Sequence, residues 1–291
     1  QINYVYKENY DLLLNSELYN TLVNKSLLVE HEETDFNLVV NNETYKIIKP
    51  KLIPFISYPY EWSFSQLKQA ALLTLKIQRI SLEHGMSLKD ATAYNVQFKG
   101  SKPVFIDTLS FEKYEEGKPW VAYKQFCQHF LAPLALMSFK DIRLNQLLKI
   151  YIDGIPLDLA SSLLPVYTKL NFSLLTHLHL HAGMQKNYES KTINKSYYNM
   201  SKFNLIAMID SLESLVKSLQ YKASGTEWAD YYQDTNYTEA GFEHKKQIIN
   251  GFLDKIQPDK LWDIGSNEGV FSRIASDRNI YTVSFDIDPA S

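Results

Sequence analysis

Two acidic residues and two glycines near the end of the chain have the spacing of a nucleotide-binding turn. Asp263 lies in a short apolar stretch, Gly265 and Gly269 follow it, and Asp286 comes directly after a second apolar stretch. A glycine lets the chain turn tightly where a strand ends, and it lets a ligand approach the backbone without a Cβ in the way. An acidic side chain about 20 residues beyond such a turn is placed to accept both hydroxyl groups of a ribose. The spacing therefore predicts a strand, a turn, a helix and a second strand that bind a nucleoside.

The same segment resembles motif I of the class I S-adenosylmethionine-dependent methyltransferases. The resemblance lies in the run Asp263-Ile264-Gly265-Ser266-Asn267-Glu268-Gly269, and Phe285-Asp286-Ile287-Asp288 is similar to the second acidic motif of that family. It implies that Asp263 orients the loop or the methionine amino group, and that Asp286 holds the ribose. It also implies that the loop backbone passes beside the cofactor at Gly265, Ser266, Asn267 and Gly269. The wide glycine spacing, with acidic residues around it, departs from a dinucleotide fingerprint and favours S-adenosyl-L-methionine over NAD.

This resemblance implies an enzyme, a methyltransferase whose methyl-acceptor substrate stays open. In this family the doubly wound Rossmann-type sheet has about seven strands, whereas the sequence stops after the second. Either the chain is a fragment of a longer protein or a partner supplies the rest of the sheet, and we expect the first, because two strands and one helix cannot close a core. In this family the residues that carry out methyl transfer usually follow the fourth strand, which this sequence does not reach, so no catalytic residue is assigned.

A second group of chemically capable residues consists of Asp90, Asn95 and Asp107. Kinase folds place their catalytic residues in this order: an aspartate, an asparagine after four further residues, and a second aspartate after a hairpin. The first carboxylate activates a hydroxyl group, while the asparagine and the second carboxylate bind magnesium.

From about Ser26 to Leu180 the chain resembles the aminoglycoside-phosphotransferase-like and protein kinases. The resemblance implies a β-rich small lobe, a hinge near residues 56–60, a long helix, and a Mg-ATP site at Asp90, Asn95 and Asp107. Lys46, Lys49 and Lys51 are the candidates for the phosphate-binding lysine. The sequence departs from the kinase pattern because it has no glycine-rich loop before Val40, has Leu88 where kinases have histidine, and has no glycine after Asp107. Three interpretations stay open: a phosphotransferase, a degenerate pseudokinase, and residues that only cap a helix and a turn.

The elements that must position this second group are predicted from local patterns. Residues 26–56 alternate as strands do, around a turn at Asn41-Asn42. Ser63 or Ser65 can cap a helix that runs to about His84 and ends at Gly85. Two short strands, Val96 to Phe98 and Pro103 to Ile106, read as a hairpin. Helices then continue to about Met184, with an interruption near Gly154.

The C-terminal elements are predicted in the same way. An amphipathic helix covers Leu205 to Leu219, and a second helix covers Glu239 to Ile256 before the strand Lys260 to Ile264. The polar stretch 186–201 has no clear periodicity and is predicted to be a linker. This gives a kinase-like α+β accessory domain over 1–185 and the first βαβ unit of a Rossmann domain over 202–291. The predicted fold class is α/β.

Composition narrows the functional classes. The chain has 30 Lys and Arg against 33 Asp and Glu, which lacks the basic excess of a dedicated nucleic-acid binder. A single cysteine, Cys127, fits a reducing compartment, and no signal segment precedes the first domain, so we expect a cytoplasmic location. No apolar run approaches the roughly 20 residues that span a bilayer.

Three histidines, His177, His179 and His181, alternate with leucines. On a helix His177 and His181 would share a face, as metal ligands can. Because no acidic or cysteine partner lies nearby in the sequence, we predict hydrogen-bonded or surface histidines and no metal site.

Overall fold

The structure is a computed structural model that describes residues 1–34, 43–180, 200–222, 226 and 238–290. Helices and short strands are mixed along the chain, which confirms the α/β class at this level. The chain divides into two compact units, Gln1–Tyr221 and Lys222–Ser291.

The first unit begins with short antiparallel strand pairs. Strand β1 (Ile2–Asn3) pairs with β3 (Thr44–Lys46), and β2 (His31–Glu33) pairs with β4 (Ile48–Pro50). Helices α1 (Lys7–Asn15) and α2 (Leu18–Asn24) lie between β1 and β2 in the chain, and 3-10 turns cover Tyr4–Tyr6 and Pro59–Glu61. The predicted β-rich character of residues 26–56 is confirmed by β2, β3 and β4. The predicted turn at Asn41-Asn42 lies outside the described residues.

Helix α3 (Phe64–Glu83) is the longest helix of the first unit's described part, and most of its apolar side chains are buried. Its N-terminus is capped reciprocally, because the Ser63 hydroxyl accepts from the Gln66 N–H and the Gln66 side chain accepts from the Ser63 N–H. The chain leaves the helix through Gly85, whose φ of +72° is a conformation that glycine adopts without strain. The predicted helix and both of its ends are confirmed.

Two further strand pairs follow α3. Strand β5 (Met86–Leu88) pairs with β8 (Phe111–Lys113), and the predicted hairpin is present as β6 (Val96–Lys99) and β7 (Lys102–Phe105). The loop β5–β6 contains a 3-10 turn at Ala93–Asn95, and the loop β7–β8 contains Asp107. Since β5 is bonded to β8 and β6 to β7, these two loops are brought to one place.

From Tyr123 to Leu180 the first unit is mainly helical, as predicted, and the last predicted residues, 181–184, lie outside the described residues. Its segments are α4 (Tyr123–Phe126), a π-helical turn (Cys127–Leu131), α5 (Ala132–Phe139), a 3-10 helix (Ile142–Lys149), α6 (Leu157–Leu163), a 3-10 helix (Val166–Leu170), α7 (Phe172–Leu174) and a second π-helical stretch (Leu175–Leu180). The interruption at Gly154 has φ +93°. Cys127 and His129 are both buried in the core, and burial raises the pKa of the Cys127 thiol to about 12.

The boundary between the units lies later than the sequence predicts. Helix α8 (Lys202–Ser218) belongs to the first unit, although the sequence assigns it to the C-terminal domain. Its apolar face is buried in the main core, Arg79 of α3 pairs with Asp210, and the Lys68 ammonium donates to the carbonyls of Lys217 and Leu219 at 2.7 Å. The apolar stripe of α8 thus packs against elements that precede it in the chain, α3 among them. Most of the predicted linker, residues 186–199, lies outside the described residues.

The second unit contains the predicted order of elements. Helix α9 (Glu239–Ile256) leads to strand β9 (Lys260–Ile264), helix α10 (Val270–Ser276) and strand β10 (Tyr281–Phe285). The two strands are parallel, with Asp263 opposite Ser284 and Ile264 opposite Phe285. Phe242 of α9 packs on Phe271 of α10.

None of the helices in the described ranges is both long and apolar enough to cross a membrane.

Candidate functional site

The turn after β9 is folded onto the end of β10. The N–H groups of Gly265 and Ser266 both donate to the carbonyl of Phe285, at 2.8 and 2.9 Å. Gly265 and Gly269 have φ of +76° and +73°, and Asn267 has φ +49°. Three of the five residues 265–269 adopt the left-handed conformation, which glycine adopts without strain, and this explains the glycines at two of the three positions. The turn consequently lies at the carboxyl ends of both parallel strands.

Asp286 lies within reach of this turn. One oxygen of its carboxylate accepts the N–H of Asn267 at 2.6 Å, and the other accepts the N–H of Asp288 at 2.8 Å. An ionised carboxylate offers about four acceptor positions, so these two bonds leave capacity for further donors. The structure thus brings Asp286 together with Gly265, Ser266, Asn267 and Gly269.

Asp263 is held from the helix side. Its Oδ2 accepts from the hydroxyl of Ser272 at 2.6 Å, and Ser272 in turn accepts from the hydroxyl of Ser284 at 2.7 Å. Sequence reasoning missed Ser272 and Ser284. A signal was available for Ser284, because strand periodicity puts it on the same face as Asp263, where apolar residues are expected.

The opposite face of this strand pair carries apolar side chains. Trp262 and Ile264 are 63% and 80% exposed, and Trp262 packs edge-on against Phe285. A cleft of about 370 Å³ lies at the other end of the strands, beside Asp259 and Ile280. That cleft is at the amino ends of the strands and contains none of the predicted site residues.

Two of the three residues of the kinase-like group meet in the first unit. The Asn95 side-chain amide donates to the hydroxyl of Ser110 at 3.0 Å, and Ser110 donates to Asp107 Oδ2 at 2.5 Å. The other oxygen of Asp107 accepts the N–H of Leu109 at 2.9 Å. Ser110 therefore occupies the position between the amide and the carboxylate, and no local pattern distinguishes it from other serines.

Asp90 is engaged in a local turn. Its Oδ1 accepts the N–H of Thr92 at 3.0 Å, and Thr92 caps the 3-10 turn that ends at Asn95. The Thr92 hydroxyl is 3.4 Å from Nδ1 of His129, a ring that is 1% exposed. Burial lowers the pKa of His129 to about 4, while the negative charges of Asp90 and Asp153 act in the opposite direction.

Two of the three lysine candidates form ion pairs at the strand edge. Lys46 pairs with Glu33 at 2.5 Å, and Lys51 pairs with Glu30. Glu33 also accepts from the hydroxyl of Tyr10, which lies 3.0 Å from Nε2 of His31. Lys49 is exposed on β4. Of the three candidates, Lys46 is thus the one that is ion-paired to the hydrogen-bonded group of Glu33, Tyr10 and His31.

The histidines of the second π-helical stretch are hydrogen-bonded. His177 lies between the hydroxyls of Tyr123 and Ser211, at 2.7 and 2.9 Å, and His179 lies between those of Ser161 and Thr168, at 2.8 and 3.0 Å. His181 lies outside the described residues. Across the described parts of the chain, no cluster of three or more His, Cys, Asp or Glu residues has the arrangement of a metal site.

The fold and these two groups of residues define a two-unit α/β protein. No protein-family model matches the sequence, and no solved structure matches it significantly. The chain is similar to the nodulation protein NoeA of Rhizobium meliloti (strain 1021), with 33% identity over 276 residues. The aligned region covers 92% of the chain and 58% of the length of that relative, so the chain spans little more than half of it.

Proposed function

We propose that this chain is part of an S-adenosylmethionine-dependent methyltransferase. The observation that carries the proposal is the meeting of the glycine turn and Asp286 at the carboxyl ends of two parallel strands. Ligands of open α/β sheets bind at this edge. We further propose that the second unit is the first βαβ unit of a Rossmann-type domain, with kinase-like ancestry for the first unit.

The residues present fit such a cofactor. A Cβ built on Gly265 would meet no atom within 4 Å, so the turn borders open space. The Asp286 carboxylate would accept hydrogen bonds from the ribose hydroxyls there, and Asp263 would face the amino-acid end of the cofactor. The cofactor would supply a methyl group from its sulfonium, and the chain would bind and orient it.

The exposure of Ile264, which is 80%, supports a larger sheet. Ile264 lies on a strand pair whose other face carries α10, and doubly wound sheets are covered on both faces. The NoeA relative is longer than the region it shares with this chain. We propose that further elements cover this face, and that the acceptor site lies among them.

Calorimetric titration of S-adenosylhomocysteine into the full-length natural protein tests the cofactor assignment. We expect saturable binding that Asp286→Ala weakens by tenfold or more, as loss of hydrogen bonds from a charged group does. Asp277→Ala, which removes an exposed carboxylate at the end of α10, is the matched control and should bind as the wild type does. Absence of binding, or equal binding by the Asp286 variant, would overturn the assignment.

A second candidate function rests on the convergence of Asn95, Ser110 and Asp107. The order α3, β5, loop, hairpin, Asp107 and β8 supports a kinase-like unit that binds Mg-ATP. If it does, Mg-ATP raises the unfolding temperature of the protein, and Asp107→Asn abolishes the increase. If Mg-ATP leaves the unfolding temperature unchanged, we assign this unit to acceptor recognition or to structural support.

A further inference from the structure

Three polar side chains meet where helix α10 packs on the β9–β10 strand pair, with Ser284 on the exposed side. Ser284 lies opposite Asp263 across the two strands, and Ser272 of α10 lies above both. Ser272 is 5% exposed, so its hydroxyl is shielded from water. A helix packs on a sheet through apolar side chains, and polar groups at such a contact are favourable only when they are hydrogen-bonded.

The hydrogen bonds run in one direction, towards Asp263. Ser284 donates its proton to the Ser272 oxygen at 2.7 Å, and Ser272 donates its proton to Asp263 Oδ2 at 2.6 Å. Because the Ser284 bond occupies a lone pair of Ser272, the Ser272 proton is directed to the carboxylate. Among the described residues, Ser272 provides the hydrogen bond that fixes the rotation of this carboxylate.

We propose that Ser272 is a positioning residue, which turns Asp263 so that its remaining acceptor positions face the cationic amino-acid end of the cofactor. The inference rests on the proposed function. Asp263 lies two residues before Gly265, at the start of the turn, so a rotation of its side chain changes what it presents to a ligand at that edge. An acceptor fixed by a buried donor binds an ammonium group without the entropic cost of ordering it first.

The test compares two ligands that share the adenosine and the thioether. S-adenosylhomocysteine has the amino-acid chain, and 5′-methylthioadenosine lacks it. In the full-length natural protein, we expect Ser272→Ala to weaken the binding of S-adenosylhomocysteine by about tenfold and that of methylthioadenosine by less than about twofold. The ratio of the dissociation constant of S-adenosylhomocysteine to that of methylthioadenosine therefore rises, whereas a loss of general stability would weaken the binding of both ligands alike.

Two variants complete the design. Ser272→Thr keeps the hydroxyl and should restore the ratio, and Ser276→Ala removes a hydroxyl on the same helix that donates only to the carbonyl of Arg273. An unchanged ratio in Ser272→Ala, or an equal loss for both ligands, would overturn the positioning role while leaving the cofactor assignment intact. If the wild type binds neither ligand, both the assignment and the positioning role are overturned.

Discussion

At the scale of single residues, the buried His129 gives the first unit a pH-dependent stability. The ring is held neutral, with a pKa of about 4, because burial disfavours its charged form. In the unfolded chain a histidine has a pKa of about 6.5. The unfolded state therefore gains a proton first as the pH falls, and stability that is present above about pH 6.5 is lost progressively towards pH 4.

We predict that this histidine accounts for about 2 kcal/mol of the stability lost between pH 7 and pH 5. His129→Gln does not titrate, so its free energy of unfolding should fall by that much less over the same interval. Denaturant titrations of both proteins at the two pH values measure the difference. Other histidines with lowered pKa, such as His31, contribute equally to both proteins. Identical pH dependences would show that His129 has no such role.

Also at this scale, a network of hydroxyls joins the N-terminal strands to the Asp107 loop. The Tyr10 hydroxyl donates its proton to Glu33, so the Tyr10 oxygen can accept a hydrogen bond from Nε2 of His31. The Thr108 hydroxyl lies 3.3 Å from Nδ1 of the same ring. With Asn95, Ser110 and Asp107 satisfied nearby, the polar side chains of this region are mutually bonded. This arrangement stabilises the loop whether or not a nucleotide binds.

At the scale of elements, the contact between the loop before α6 and the π-helical turn Cys127–Leu131 depends on Gly154. A Cβ at this position would lie 2.6 Å from Cβ of Gln128 and 3.1 Å from Cδ2 of His129. The Ile155 N–H also donates to the carbonyl of Gln128 at 3.0 Å, so the loop cannot move away without losing that bond.

We predict that Gly154→Ala destabilises the first unit by about 2 to 4 kcal/mol, since it adds overpacking to backbone strain. Gly100→Ala is the matched control. It also has a positive φ, +61°, but its Cβ would meet no atom within 4 Å, so only the strain of about 1 kcal/mol applies. Equal losses of unfolding free energy in the two variants would mean that the crowding at Gly154 is relieved by movement.

At the scale of the whole molecule, α8 belongs to the core of the first unit. Its side chains Leu205, Ile209 and Leu212 are buried there, and each such residue contributes about 1.5 to 3 kcal/mol. Their sum is comparable with the total stability of an ordinary domain, about 5 to 15 kcal/mol.

We predict that a chain ending at Tyr221 unfolds cooperatively, whereas one ending at Ser201 does not fold. Circular dichroism during thermal unfolding distinguishes the two outcomes. A cooperative transition in the shorter chain would place α8 outside the first unit's core and would favour the boundary that the sequence predicts.

Local patterns predicted most of the elements because their causes are local. The cap at Ser63, the stop at Gly85 and the hairpin around Gly100 each depend on residues within a few positions of one another. The same holds for the β9 turn, since Gly265 and Gly269 adopt backbone conformations that few other residues tolerate. Asp90 and Asn95 were recognised by spacing, but spacing alone did not show that Thr92 caps the turn between them.

The sequence by itself determined the class of the fold, the order of strand, turn, helix and strand around Asp263 and Asp286, and the residues proposed for the cofactor. The tertiary structure decided what those patterns pack against. It assigned the α8 stripe to α3, because an amphipathic periodicity specifies a buried face and not its partner. It likewise placed Ser110 between Asn95 and Asp107, and Ser272 on Asp263. Such hydroxyls carry no sequence signature, since their role arises only when distant segments meet.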